Sequence, residues 1–171
     1  MIRTSEFLFD ESIYSALFKN IDELTKEILV ISPWMDGDGE LISRILEKIN
    51  GNQITACFIT RFYRKRALKH KEVIFKLHDR GARIYMNKFV HAKMFIFDGQ
   101  ILILCSSNLM GTSLFRNHEV GILSRESTLI KDALLYFDWL KQKSRLFLPK
   151  HAKYPIKRPN ISNYRRNFVV Q

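Results

Sequence analysis

Apolar and polar positions along this chain follow two periods, and the switches between them mark out helices and strands. Ser5 to Asp10 reads as a short strand, and Glu11 to Leu24 repeats Ile13, Leu17, Ile21 and Leu24 at helical spacing. Glu27 to Pro33 is nearly continuous in apolar residues, as expected of a strand covered on both faces. Glu40 to Ile49 sets Leu41, Ile42, Ile45 and Leu46 on one helical stripe, and Gln53 to Thr60 is the next strand. Arg64 to Arg80 predicts a helix with Leu68, Val73, Ile74 and Leu77 inward, closed by Gly81 as its C-terminal cap. Strands follow at Ala82 to Met86, Ala92 to Phe97 and Asn117 to Leu123. A last helix, Glu126 to Gln142, turns Leu129, Ile130, Ala133, Leu134, Phe137 and Leu140 inward.

Helix and strand alternate as far as Phe97, which argues for an α/β fold: a mixed, largely parallel sheet with helices on both faces. Asp98 and Gly99, set between the apolar runs MFIF and QILILC, are a strong hairpin signal and add an antiparallel element. No internal repeat is visible.

Charge separates the chain into two parts. Residues 1–142 make one domain by length and pattern, and residues 143–171 hold three of the four prolines, eight basic residues and no acidic one. That composition predicts a basic arm that lies along a partner or a second subunit. The net charge is +11, of which the extension supplies +8, and residues 61–93 carry a local +9. Such blocks point to a polyanionic partner, nucleic acid or anionic lipid, with a merely solvated basic face as the alternative.

The first thirty residues lack the pattern of a signal peptide, and no apolar run reaches the ~20 residues of a membrane span. The expectation is a soluble cytoplasmic protein with Cys57 and Cys105 as separate thiols. The histidines at 70, 78, 118 and 151 lack the close spacing of zinc ligands, and no metal or other cofactor is expected.

Chemistry concentrates between residues 91 and 119. His91 and Lys93, two apart on an extended segment, share one face. Ser106, Ser107 and Asn108 follow the second apolar run and precede LMGTSLF, a segment that predicts a short helix. Hydroxyl, amide and backbone N–H groups there would either cap that helix or hold an anion. Glu119 lies inside HEVGIL, eleven residues past Asn108. Trp34, in the turn-rich loop after the second strand, either packs as core or stacks on a base, and Arg61 follows the third strand directly.

His91, Lys93, Asp98, Ser106 and Asn108 reproduce the HxK, four residues, D, six residues, GSxN pattern, and the chain thereby resembles the phospholipase D superfamily. It departs once, with Cys105 at the usual glycine. The resemblance is close from about Ala82 to Ser124, and Glu119 stands where small nucleases of the superfamily carry an acidic residue.

The resemblance implies a phosphodiesterase that works without metal through a phosphohistidine. It also implies two facing histidines, so that a chain with one complete HxK, Asp and SxN pattern must act as a homodimer. His91 would attack phosphorus while its twin protonates the leaving group, Lys93 and Asn108 with Ser106 would hold the nonbridging oxygens, and Glu119 would accept the other imidazole N–H. Trp34 and Arg61 would contact substrate. Asp98 with Gly99 is a structural turn. Three functions fit: an endonuclease of low specificity on DNA or RNA, a phosphodiesterase of anionic phospholipid, and a noncatalytic nucleic-acid-binding relative.

Overall fold

The computed structural model describes residues 4–36, 39–50, 54–61, 68–110 and 116–149. In chain order they form β1 (Ser5–Phe9), α1 (Glu11–Asp22), β2 (Glu27–Ile31), α2 (Glu40–Asn50), β3 (Thr55–Thr60) and α3 (Leu68–Asp79). These are followed by β4 (Arg83–Met86), β5 (Met94–Phe97), β6 (Ile101–Cys105), β7 (Val120–Ser124), α4 (Ser127–Gln142) and β8 (Arg145–Leu146). All eight strands join one open sheet in the order β1-β7-β6-β5-β2-β3-β4-β8.

The expected mixed α/β sheet flanked by helices is present, but it is not largely parallel. Parallel pairing is confined to β2–β3–β4, where α2 and α3 carry the chain back across the sheet. From β5 onward neighbouring strands β5, β6 and β7 pair antiparallel, and β1 and β8 add antiparallel edges. At the β5–β6 hairpin Asp98 and Gly99 both have positive φ, 52° and 65°, as the type I′ turn requires.

Period-2 alternation sends successive side chains to opposite faces of the sheet. Ile28, Val30, Phe58, Phe95 and Ile103 meet α1, α2 and α3 on one face. Ile31, Ile59, Met94, Ile96 and Leu102 meet Ile130, Ala133, Phe137 and Leu140 of α4 on the other. Among the described residues one helix covers that second face, and on its β7–β1 side Phe7 and Phe9 are 65% and 60% exposed, with Leu104, Val120 and Ile122 exposed beside them.

Two inward assignments fail on α3 and α4. Leu68 is 76% exposed because the buried stripe of α3 runs through His70, Val73, Ile74 and Leu77, the i, i+3, i+4, i+7 positions, and Leu68 lies off it. Leu129 is likewise exposed, on the flank of α4.

The boundary read at residue 142 cuts through the packed unit. Arg145 and Leu146 pair with Met86 and Tyr85 of β4, and Phe147 is fully buried against Phe75 and His78. Residues 150–171 lie outside the described residues, as do Arg64, Lys65 and Arg66 of the basic segment and residues 111–115 of the helix predicted after Asn108. Among the described residues no helix is long and apolar enough to cross a membrane.

Candidate functional site

One end of the sheet gathers the chemically active side chains. Ladder register places Lys93, just ahead of β5, across from Cys105 at the end of β6, and Cys105 across from Gly121 of β7. The C-terminal ends of β2 and β3 deliver the Trp34 and Arg61 segments to the same end, since parallel strands finish together. The backbone after β6 is held to β2: Leu109 N–H donates to Ser32 Oγ at 3.1 Å, Asp36 N–H donates to Leu109 O at 3.2 Å, and Met35 and Leu109 form a β-bridge. Residues 106–110 are therefore bridged backbone rather than the first turn of a helix.

His91 is exposed, and its Nδ1 lies 3.2 Å from the Nζ of buried Lys93. Burial pushes the Lys93 pKa down, and the Arg61 charge pushes the same way; the Glu119 carboxylate and the Cys105 thiol oppose them. The Glu119 carboxylate accepts hydrogen bonds from Ser106 Oγ and from Asn117 Nδ2, the latter at 3.3 Å. Within the chain the expected bond from His91 to Glu119 is thus not made: Lys93 meets Nδ1, and Ser106 engages the carboxylate. Ser106 Oγ also accepts from Val120 N–H at 3.1 Å, so hydroxyl and carboxylate are held side by side where β6 ends and β7 begins.

Among the described residues two buried side-chain polar atoms have no hydrogen-bond partner, Arg61 Nε and Asn108 Oδ1. Both belong to the set singled out in the sequence. Unpaired buried polar atoms are destabilising, by about 1–3 kcal/mol each, and are rare unless a ligand or catalytic role retains them.

Sequence reasoning missed His70. Its Nδ1 accepts from Met35 N–H at 3.1 Å and its Nε2 donates to Arg61 O, so one buried imidazole ties together the Trp34 and Arg61 segments. The Trp34 ring meets it edge-on at 5.3 Å between centroids, which makes Trp34 a half-buried packing residue as well as a neighbour of the site. Burial lowers the His70 pKa, consistent with a neutral ring. A polar residue on the apolar stripe of α3 was the available signal. Asp98 lies at the opposite end of the strand, where its carboxylate accepts from Thr25 N and Oγ1, Lys26 N and Glu27 N at 2.8–3.0 Å. Among the described residues no cluster of three His, Cys, Asp or Glu side chains that could hold a metal ion is assembled.

The site thus lies in an α/β protein whose open mixed sheet brings an imidazole and cations to one end, with a carboxylate across from them. The chain matches the family described as cardiolipin synthase, PLD-like domain, over residues 17–141, and it belongs to that family. No curated protein sequence matches it.

Solved structures share the fold at low identity. Nuc from Salmonella typhimurium, a phospholipase D family member, superposes with a TM-score of 0.72 at 10% identity, covering 84% of this chain and 98% of Nuc. NucT from Helicobacter pylori gives 0.70 at 14% identity, covering 84% of this chain and 99% of NucT. The archaeal chromatin protein TrmBL2 gives 0.62 at 13% identity, covering 85% of this chain and 55% of TrmBL2.

Proposed function

We propose that this protein is a phosphodiesterase acting without metal, an endonuclease of low sequence specificity whose site is completed by a second copy of the chain. The observation that carries the reading is the convergence of His91, Lys93, Arg61, Ser106 and Asn108 at one end of the sheet, with Arg61 Nε and Asn108 Oδ1 unpaired. A phosphodiester is a poor electrophile whose anionic oxygens must be neutralised. Lys93 and Arg61 supply cations for those oxygens. In the free protomer Lys93 and His91 hold each other, and a phosphate oxygen that takes the Lys93 N–H frees the imidazole. The His91 nitrogen then bonds to phosphorus as the P–O bond to the leaving group breaks.

One protomer supplies a single HxK that is followed by the Asp and SxN elements, since His151-Ala152-Lys153 has neither after it, and the leaving oxygen needs a proton. The partner's His91 donates it, then takes one from the water that attacks the phosphohistidine. The exposed apolar strip of Phe7, Phe9, Leu104, Val120 and Ile122 borders β7 just beyond Glu119 and supports a twofold contact there. Nucleic acid as substrate is supported by the basic composition and by a chromatin protein, described for its mode of DNA binding, sharing the fold.

A second reading is phospholipid chemistry. It is favoured by the family description and by the shared fold of phosphatidylserine synthase from Haemophilus influenzae, with a TM-score of 0.65 at 10% identity over 89% of this chain and 42% of that one. Incubation with single-stranded DNA, duplex DNA, RNA and anionic lipid vesicles, each with and without chelator, ranks these readings. Nuclease cleavage that survives chelator and disappears in His91→Ala is the expected result; cleavage abolished by chelator contradicts the histidine chemistry. Cleavage of lipid alone favours the second reading. The paired variant Phe7→Ser/Phe9→Ser should sediment as a folded, inactive monomer. A wild-type protein that is monomeric and active would refute the shared site.

A further inference from the structure

Asp10 occupies the corner between β1 and α1 with φ 44° and ψ −120°, a region that strains any residue with a side chain. At a helix start an aspartate ordinarily caps the first turn, yet the Asp10 carboxylate makes no capping bond to α1. It reaches across to the segment ahead of β7 instead. Oδ1 accepts from Glu119 N–H at 2.8 Å, and Oδ2 lies 3.2 Å from Nδ1 of exposed His118.

The geometry has a specific cause. The β1–β7 ladder ends at the pair Phe9 and Val120, so the next antiparallel pair is Asp10 with Glu119. Asp10 N–H donates to Glu119 O at 2.9 Å, as a continuing ladder requires. The return bond would need the Asp10 carbonyl, but that carbonyl accepts from Ile13 N–H at 3.1 Å as the chain turns into α1. The side-chain carboxylate takes its place. Glu119 is thereby held through both backbone groups one residue beyond the strand, at the position from which its own carboxylate meets Ser106.

We infer that Asp10 is a positioning residue for the site, clamping the Glu119 backbone so that the Glu119 carboxylate stays aimed at Ser106 and near Lys93. The inference rests on the phosphodiesterase reading for its effect on turnover, and on the clamp alone for its effect on the backbone. The strain at Asp10 persists because the two ladder bonds and the helix start cannot otherwise be satisfied together.

Four full-length variants test it: Asp10→Gly, Asp10→Asn, Glu119→Gln and the double Asp10→Gly/Glu119→Gln. Glycine removes the carboxylate while accepting the backbone angle, and asparagine keeps an acceptor for Glu119 N–H. On a small phosphodiester Asp10→Gly should lower kcat on the order of 10-fold with KM little changed, and Asp10→Asn should stay within about 2-fold of wild type. In the Glu119→Gln background Asp10→Gly should cost less than about 2-fold, because the group it aims is already altered. Amide hydrogen exchange at Glu119 should accelerate in Asp10→Gly and not in Asp10→Asn.

Equal losses of kcat in both backgrounds, or exchange at Glu119 unchanged in Asp10→Gly, would overturn the inference. If Asp10→Gly does not fold, Asp10→Asn decides: a folded protein with kcat down more than 10-fold overturns it as well. A wild-type protein without phosphodiesterase activity would defeat the functional reading, and the exchange measurement would still decide the clamp.

Discussion

Cys105 and Gly121 face each other across the β6–β7 ladder so closely that a Cβ on Gly121 would come within 2.8 Å of the Cys105 Cβ. The family pattern has glycine at 105; here the bulk stands on β6 and the glycine on β7. Gly121→Ala should therefore destabilise the protein by about 2 kcal/mol by overpacking, read by denaturant midpoint. Adding Cys105→Gly should recover only part, because the Leu104 carbonyl oxygen lies at 2.8 Å from the same Cβ. Burial pushes the Cys105 thiol up to about 11. It should resist alkylation at pH 8 until the protein is unfolded.

Asp98 joins two segments more than 70 residues apart by four hydrogen bonds to Thr25, Lys26 and Glu27. Burial opposes its ionisation, but those bonds outweigh burial and hold its pKa below the usual carboxylate range. Its folded pKa is depressed, so its stabilisation is present above the unfolded value near ~3.9 and is lost as pH falls through the folded value. Asp98→Ala should cost about 2 kcal/mol at pH 7. The variant should lose less stability than wild type on acidification below about pH 4. Urea midpoints across pH 2–7 read both effects, with phosphate chemistry in folded protein unaffected.

In the proposed reaction Lys93 carries its proton to neutralise a phosphate oxygen, so activity should fall as pH rises through its lowered pKa. Glu119 supports that charge and Arg61 opposes it. Glu119→Gln should shift the alkaline limb of the rate profile to lower pH, and Arg61→Gln should shift it to higher pH, whatever each does to the maximum rate. Profiles of kcat/KM on a small phosphodiester show both directions.

Phe147 seals the core of the α3 face at 1% exposure. Truncation after Gln142 removes it and should destabilise by about 3 kcal/mol, in the range of large-to-small core substitutions. Truncation after Pro149 should keep the midpoint while removing six basic residues. Nucleic-acid affinity should then weaken, and its salt dependence should become shallower by about 0.9 log units for each duplex phosphate the shortened chain no longer neutralises.

Much of the local architecture was legible because it rests on short-range periodicity. The stripes of α1 and α2, the Gly81 cap and the Asp98–Gly99 turn all follow from residues within one or two turns of each other. His91, Lys93, Ser106, Asn108 and Glu119 were legible through motif spacing, and the fold places them at one end of the sheet. What stayed hidden depends on packing between distant segments. His70 is buried only because Met35 and Arg61 supply its partners, 35 and 9 residues away. β8 forms only because β4 would otherwise be an edge strand with open backbone groups.

From sequence alone came the candidate site residues, the α/β class and the hairpin that spaces them, since spacing along a strand and positive-φ turn residues are properties of neighbours in the chain. Tertiary structure decided which neighbours those groups have: Lys93 rather than Glu119 at His91 Nδ1, Ser106 at Glu119, and Asp10 at the backbone of Glu119. Hydrogen bonds between strands form through register and strand order, and both are set by packing across the whole sheet.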